Sequence, residues 1–183
     1  GKVIKCMLEL KKNKIIDKKG VSVQTPEELK KVLLCKHVEH IQLPINILDW
    51  RWDNFEKKIL KRKINGEFTV HARSPLLQGL ILSTDSLKWN RANLKNSKKV
   101  INWIDNSVNV FRKKSIIDLS LAFVNSIDWI DGIVIGVVNA KQLMENIIIA
   151  RSSKLTKENL KLIKKTRPIL SNLTLNPALW KDK

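Results

Sequence analysis

The residue whose type and position suggest chemistry most directly is Arg73, which ends an apolar stretch immediately before Ser74-Pro75. A charged group in that position commonly meets an anion, because an apolar strand offers nothing to compensate its charge. Ser22 and Gln42 are polar residues near the ends of two earlier β-rich stretches. Turn chemistry also explains Ser22, and Gln42 is equally typical of a polar residue at the rim of a sheet. Arg73 is therefore the first candidate for a ligand contact.

A second group of candidates lies at the start of a later helix. Asn139 fits an N-terminal cap. Gln142 stands three residues further on, at the position of a capping box whose side chain bonds back to the backbone at the helix start. Capping alone explains both residues. Glu145 and Asn146 lie one turn further along, where capping does not account for them, so a ligand contact is open there.

Cys35, His37 and His40 contain the side-chain types that bind zinc. On a strand, His37 and His40 would point to opposite faces, and the sequence shows no fourth ligand. We therefore predict no metal site. His71 lies within a strand and is more typical of a packed residue than of a catalytic base, whereas Trp50 is a candidate for lining a substrate pocket.

The elements that must position these residues alternate between short β-rich stretches and amphipathic helices. Thr25-Pro26-Glu27-Glu28 is a capping box with proline at the first helical position. The helix over 1–12 has an apolar face, and Asn13 is suited to end it in a left-handed conformation. Strands are predicted over 18–23, 38–43, 68–73 and 132–138, and further helices around 53–60, within 94–112, over 115–125, and after Asn139 and Thr156.

Four strands joined by helical crossovers predict a parallel sheet. The near-continuous apolar run 132–138 is typical of a strand covered on both faces. None of the six glycines has the spacing of a Rossmann or P-loop phosphate turn. A complete (β/α)8 barrel has eight strands in about 250 residues. The α/β pattern over the 183 residues therefore favours half of a (β/α)8 TIM barrel over an open doubly wound sheet.

Composition narrows the function classes. With 183 residues and 43% apolar content, the chain suits one domain and is not a disordered tail. No apolar run approaches the length of a membrane span. The formal charge is +18, but it is dispersed and accompanies no nucleic-acid-binding motif, so we expect no specific nucleic-acid contact. The two cysteines fit a reduced, cytoplasmic setting.

Four segments together resemble the aldo/keto reductase family: Gly20-Val21-Ser22, Gln42-Leu43-Pro44-Ile45-Asn46, Arg73-Ser74-Pro75-Leu76-Leu77-Gln78-Gly79 and 136–146. The closing Asn176-Pro177-Ala178-Leu179-Trp180 also recurs at such C-termini. The resemblance runs in order through nearly the whole chain and implies strands five to eight of the barrel with their helices. The sequence around Gln42, Gln78 and Trp180 is similar to that of bacterial members linked to polysaccharide and sugar biosynthesis.

The resemblance implies an NAD(P)-dependent oxidoreductase that transfers hydride between the nicotinamide and a carbonyl or alcohol, such as a sugar-derived substrate. NADP or NAD would lie across the carboxyl ends of the strands. The resemblance implies that Ser22 and Gln42 contact the carboxamide, that Arg73 lies at the nicotinamide, and that Ser74 and Leu76 contact the pyrophosphate. The contacts that it implies for the adenosine are Gly136, Asn139, Gln142, Glu145 and Asn146.

Three positions depart from the family pattern. Val23 stands where the family usually has Asn, and Arg73 stands where it usually has an aromatic residue that stacks on the nicotinamide. Gly136 stands where NADP-preferring members often have a cation. Lys141 or Arg151 offers a substitute, so the choice between NADP and NAD stays open.

In this family a Tyr is the general acid, and an Asp, a Lys and a His assist it, all from the first four strands. This chain contains no Tyr, so it carries no proton donor of that kind. We expect the catalytic residues in an N-terminal half of the same barrel, and no reductase activity from these 183 residues alone. The alternatives are a non-catalytic nucleotide- or sugar-binding barrel and a basic nucleic-acid-associated protein. Since a half-barrel leaves two sheet edges bare, we expect poor solubility or pairing with another copy.

Overall fold

The computed structural model of the chain describes residues 1–64, 68–151 and 154–181. Its strands are β1 (Gly20–Ser22), β2 (His40–Pro44), β3 (Thr69–Arg73) and β4 (Gly132–Val134). Its helices are α1 (Lys2–Lys12), α2 (Pro26–Leu34), α3 (Glu56–Lys63), α4 (Ser86–Arg91), α5 (Lys98–Val110), α6 (Ile116–Asn125), α7 (Ala140–Ala150), α8 (Lys157–Thr166) and α9 (Asn172–Leu175). Short 3₁₀ segments cover Trp50–Phe55, Leu77–Leu82 and Pro177–Leu179.

The four strands form one parallel sheet in the order β1-β2-β3-β4. The register pairs Ser22 with Gln42, and Arg73 with both Pro44 and Val134. Each strand therefore neighbours the next one along the chain, and all four carboxyl ends meet at one edge of the sheet. We call this edge the carboxyl edge.

Only one face of the sheet is covered by the apolar core. Ile41, Leu43, Val70 and Ala72 alternate along β2 and β3 and are fully buried. The other face is polar and partly exposed, and it carries Ser22, His40, Gln42, Thr69, His71 and Arg73. Sequential strand order with helices on a single face is the arrangement of a (β/α)8 barrel, not of a doubly wound sheet, which is covered on both faces.

The start of α2 shows how local sequence fixes an element. The backbone N–H of Glu28 donates to Thr25 Oγ1 at 3.2 Å, and Glu28 Oε2 accepts from the backbone N–H of Thr25 at 3.2 Å. The capping box is therefore confirmed, with Pro26 at the first helical position. Leu29 is the buried residue of the helix that follows.

The last strand differs from the expectation of a long strand covered on both faces. β4 ends at Val134, which is 42% exposed, and Val138 is 88% exposed. β4 has a hydrogen-bonded neighbour on one side only, within the described part of the chain, so its apolar residues lack the second cover that a central strand receives. The prediction of a strand over 132–138 is wrong beyond Val134.

Helix α1 also differs from its prediction, because its apolar face is not buried. Val3 and Ile4 are 72% and 44% exposed, and no residue of α1 is buried. The helix is held at its last turn by Lys11, which forms an ion pair with Glu39. The residue with positive φ is Lys14 (57°), not Asn13. No helix in the described ranges is long and apolar enough to cross a membrane.

Glu39 joins three parts of the chain at the amino ends of the strands. Besides the pair with Lys11, its Oε2 accepts from the backbone N–H of Lys19 at 3.0 Å and lies 2.9 Å from Lys19 Nζ. Burial alone would raise the pKa of Glu39, but these hydrogen bonds outweigh it and lower the pKa to about 2. The ionised carboxylate therefore stabilises the position of α1 against the sheet.

At the carboxyl edge, a buried cluster of charged groups fixes the segment after β2. Asp49 accepts from Arg51 Nε at 2.8 Å and Nη2 at 2.6 Å, and from Trp52 Nε1 at 3.0 Å. Arg51 Nη2 also donates to the carbonyl of Leu175 at 3.2 Å. Arg167 donates to the carbonyl of Asp49 at 3.3 Å. Buried charged hydrogen bonds thereby hold residues 167–181, which we call the C-terminal segment, against the carboxyl edge.

The Arg167 guanidinium also pairs with Asp53. Burial raises the pKa of the Asp53 carboxyl, and the charges of Arg167 and Lys164 oppose that rise. Burial likewise lowers the pKa of Arg167, opposed by Asp53 and Asp49. Each charge therefore offsets much of the desolvation cost of the other.

We predict that Glu39→Gln lowers the free energy of unfolding at neutral pH by about 1–2 kcal/mol, because charged hydrogen bonds become neutral ones. The pKa of Glu39 is about 2 in the folded protein, below the ordinary value of 4.5. The stabilisation is therefore complete above pH 4.5 and is lost as the pH falls from 4.5 toward 2. Urea unfolding at a series of pH values measures the difference. Glu9→Gln on the exposed part of α1 is the control, and a pH-independent difference for Glu39→Gln would contradict the assignment.

We predict that Asp49→Asn lowers the free energy of unfolding by about 3 kcal/mol, because it leaves the buried Arg51 charge without its carboxylate. Asp128→Asn is the matched control, since Asp128 and Lys157 are both exposed and lie 3.9 Å apart. Thermal or urea unfolding of the two variants measures the difference. Equal stabilities of the two variants would show that the buried pair contributes nothing beyond a surface pair.

Candidate functional site

Ser22, Gln42 and Arg73 lie on the same face of the sheet at its carboxyl edge. Ser22 pairs with Gln42 and Gln42 with His71, and Arg73 follows His71 by two residues on the same face. Ser22 is exposed, and Gln42 is half-buried. Within the described residues, neither the Ser22 hydroxyl nor the Gln42 amide has a hydrogen-bond partner. The register therefore brings together three predicted site residues with polar groups still available.

Arg73 contacts Gln24, a residue that the sequence analysis missed, and the backbone of Val23. Its Nη2 donates to Gln24 Oε1 at 2.5 Å and to the carbonyl of Val23 at 3.3 Å. Gln24 Nε2 in turn donates to Asn176 Oδ1 at 2.9 Å. This chain of hydrogen bonds connects the ends of β1 and β3 with the C-terminal segment. No sequence spacing links Gln24 with Asn176, which are 152 positions apart.

The segment after β3 has an unusual backbone. Ser74, Leu77 and Gln78 have positive φ angles of 56°, 47° and 55°, followed by Gly79 at 80°. Left-handed conformations of non-glycine residues each cost about 1 kcal/mol or more. In the described ranges, the backbone N–H groups of Ser74 and Leu76 have no acceptor. Free N–H groups on such a turn favour anions.

The residues beyond β4 begin at the same carboxyl edge as this segment, because Arg73 and Val134 are paired where the two strands end. Asn139 Oδ1 accepts from the backbone N–H of Gln142 at 2.8 Å, and Gln142 Oε1 accepts from that of Val138 at 3.0 Å. Both side chains therefore cap α7, as their spacing predicts. Gly136 and Glu145 are exposed.

Asn146 is different from its neighbours on α7. It is 6% exposed, the one residue of α7 that counts as buried in the described structure. Within the described part of the chain, its amide has no hydrogen-bond partner. The amide is not fully buried, since the residue keeps part of its surface in contact with solvent, and this group is therefore open to a ligand.

Two histidines occupy the polar face nearer the amino ends of the strands. The His40 and His71 rings meet edge to face, with centroids 4.4 Å apart, and His40 Nδ1 lies 2.8 Å from Thr69 Oγ1. A Cβ at Gly20 would lie 3.0 Å from the His40 ring, and one at Gly132 would lie 3.0 Å from the His71 ring. The two glycines thus make room for the two rings. Burial, followed by the charge of His71, lowers the pKa of His40.

The remaining candidates lie away from the carboxyl edge or pack against the C-terminal residues. Trp52 is buried, and Trp50 Nε1 donates to the carbonyl of Leu170 at 2.8 Å, so Trp50 anchors the C-terminal segment. Cys35 and His37 lie outside the strands. Within residues 1–64, 68–151 and 154–181, no three His, Cys, Asp or Glu side chains are placed to hold a metal ion.

Arg73 is half-buried, and burial lowers the pKa of its guanidinium, opposed by the negative charge of Glu28. Within the described residues, no carboxylate forms an ion pair with Arg73. An arginine guanidinium stays protonated in proteins. Within the described residues, the carboxyl edge therefore presents a positive charge with no carboxylate at ion-pair distance, although the charge of Glu28 still acts on it.

Comparison of the sequence with protein-family models and with curated proteins found no match. Comparison of the structure found solved aldo-keto reductases. Aldo-keto reductase AKR11C1 from Bacillus halodurans, in its holo form, superposes with a TM-score of 0.71 at 20% sequence identity, over 91% of this chain and 56% of that one. The glycerol dehydrogenase AKR11B4 from Gluconobacter oxydans superposes with a TM-score of 0.58 at 21% identity, over 92% of this chain and 53% of that one.

A third solved structure is the aldo-keto reductase AKR2E5 complexed with NADPH, with a TM-score of 0.55 at 16% identity, over 91% of this chain and 47% of that one. This chain thus spans about half the length of the solved proteins that it resembles. The superpositions show that the fold is shared, and identities of 16 to 21% carry nothing beyond the fold. The chain is an α/β protein with the fold of a partial (β/α)8 barrel of the aldo-keto reductase type.

Proposed function

We propose that the chain is the cofactor-binding half of an NAD(P)-dependent oxidoreductase of the aldo/keto reductase type, comprising strands five to eight of the barrel. The observation that carries the proposal is the carboxyl edge itself, where Ser22 and Gln42 lie side by side with hydrogen-bonding groups to spare. Ligands of parallel barrels bind at this edge, since the loops that follow the strands surround it.

The nicotinamide end of the cofactor would lie over β1 and β2. The Ser22 hydroxyl and the Gln42 amide would hold its carboxamide, which fixes the ring face that is presented to the substrate. The free N–H groups of Ser74 and Leu76 would receive the pyrophosphate oxygens. When bound, NADP or NAD supplies the hydride acceptor or donor of the reaction.

The adenosine end would lie along the start of α7. Asn146 would contact the adenine through its unpaired amide, with Gly136 and Glu145 beside it. Asn139 and Gln142 would act through the helix start that they cap, since their side chains are used in the cap. The NADPH bound in a solved neighbour supports NADP as the cofactor, although Gly136 provides no cation for a 2′-phosphate.

The chain supplies no proton donor of the family's type, since it contains no Tyr. We place the Asp, Tyr, Lys and His of catalysis in an N-terminal half of the same barrel. We therefore propose that the 183-residue chain alone is inactive as a reductase. The absence of Tyr equally favours a second candidate, a non-catalytic nucleotide-binding barrel. Carbonyl-dependent oxidation of NADPH by the complete protein distinguishes the two.

Both edges of the sheet support a partner half-barrel. Beside β1, an apolar groove of about 390 Å³ is lined by residues such as Val3, Ile4, Met7 and Val32. Beside β4, α7 exposes Met144 (59%) and Ile148 (67%). Exposed apolar surface next to a bare strand is typical of an interface. A carbonyl or sugar-derived substrate, polysaccharide biosynthesis and a cytoplasmic location complete the proposal on the basis of the resemblance.

We predict that the chain binds NADPH and that Asn146→Leu, which removes the amide at nearly constant volume, weakens binding about tenfold by removing its hydrogen bonds to the adenine. Isothermal titration calorimetry with NADPH and NADH measures both affinities. Asn102→Leu, an exposed position on α5, is the matched control and should bind as the unchanged chain does. Absence of NADPH binding at millimolar concentration contradicts the proposed function.

We predict that the isolated chain self-associates at a protein concentration of about 50 µM, because the apolar surface beside both edge strands is uncovered. Sedimentation velocity measures the mass distribution. Ile148→Glu, which places a charge on the exposed face of α7, should shift the distribution toward the monomer, while Asn102→Glu should not. A monodisperse monomer that melts cooperatively would show that the edges need no partner.

A further inference from the structure

The direction of the Arg73 side chain distinguishes it from the other residues of the carboxyl edge. Arg73 stands on β3, yet its Nη2 contacts Val23 and Gln24, which follow β1. Since β2 lies between β1 and β3, the side chain crosses the carboxyl end of β2. The guanidinium therefore lies on the β1 side of its own strand, toward Ser22 and Gln42.

This direction separates the guanidinium from the proposed phosphate contacts of the cofactor. The backbone N–H groups of Ser74 and Leu76 follow β3, and Asn146 lies on α7 beyond β4. Asn146 is therefore on the opposite side of β3 from Gln24, and Ser74 and Leu76 follow β3 itself, whereas the guanidinium reaches residues that follow β1, two strands away. An anion bound to Arg73 on that side would thus be a group other than the pyrophosphate or the adenosine of the cofactor.

The guanidinium has donors and charge to spare. Within the described residues, Nη2 is the guanidinium nitrogen that donates hydrogen bonds. Nε and Nη1 have no partner there and are not fully buried, so they are open to a ligand. Glu28 is the acid whose charge acts on Arg73, but its Oε2 already accepts from the backbone N–H groups of Gln24 and Thr25. An Arg that is held at one end and open at the other is suited to a bidentate carboxylate or phosphate.

We propose that Arg73 binds an anionic group, a carboxylate or a phosphate, carried by the carbonyl substrate close to its reacting carbon. Gln24 and Asn176 are positioning residues that hold the guanidinium across β2. The inference rests on the proposed function, because it takes Ser22 and Gln42 as the contacts of the nicotinamide carboxamide. It assigns the substrate to acidic carbonyl compounds, such as 2-oxo acids or phosphorylated aldehydes and ketones.

The test measures the binding of three probes, pyruvate, inorganic phosphate and neutral acetone, by ligand-observed NMR on the full 183-residue chain with and without NADP⁺. We expect one of the two anions to bind and acetone not to bind, with the preferred anion identifying carboxylate or phosphate. Arg73→Gln should weaken that binding at least about tenfold. Arg91→Gln, which removes the same charge from an exposed position on α4, should leave it unchanged.

A second variant keeps the result decisive if Arg73→Gln fails to fold. Gln24→Glu retains Arg73 and places a carboxylate against its guanidinium, so it should also weaken anion binding, whereas Glu27→Gln nearby should not. Anion binding that is unchanged in Arg73→Gln or Gln24→Glu overturns the inference, as does equal binding of acetone.

NADPH binding distinguishes failure of the inference from failure of the proposed function. We expect Arg73→Gln to bind NADPH within about twofold of the unchanged chain. Loss of NADPH binding in this variant would mean that the guanidinium stacks on the nicotinamide, which overturns the inference but leaves the proposed function intact. If the unchanged chain does not bind NADPH, the proposed function fails, and the assignment of the anion to a reductase substrate fails with it.

Discussion

The alternation of side chains along a parallel strand is the constraint on which the structure depends. It places Ile41, Leu43, Val70 and Ala72 on one face, where they are fully buried under the helices, and polar residues on the other. Because the strands follow one another in order, the same alternation lines up Ser22 and Gln42 at the carboxyl edge. One pattern thus creates both the core and the polar face that a ligand would meet.

That edge needs rigid support, because the residues beyond each strand are loops. The Asp49–Arg51 pair provides support after β2, and Arg167 extends it to the C-terminal segment. Burying these charges is costly, and the cost is offset only while every partner is present. Asn176 belongs to the same segment and contacts Gln24, so the buried pair indirectly sets where the Arg73 guanidinium lies.

Local sequence rules predicted the elements whose ends are marked by caps or by proline. The capping box at Thr25, the cap at Asn139 and the strand end before Ser74 all come from residues within four positions of each other. The contacts of Arg73 with Gln24 and of His40 with His71 join separate crossover units, and no spacing encodes them. The exposed face of α1 was missed because amphipathic periodicity indicates which residues could be buried but not whether a neighbour covers them.

Val23 and Arg73 show how packing and charge are divided at the carboxyl edge. Val23 is 2% exposed and belongs to the apolar core, and its backbone carbonyl accepts from Arg73 Nη2. Arg73 is half-buried, and its guanidinium is held by Gln24, which in turn is held by Asn176. Holding a half-buried cation in place is costly unless its charge is compensated, and no carboxylate of the described residues forms an ion pair with it. This arrangement favours an anionic ligand at the edge over a purely structural role for Arg73.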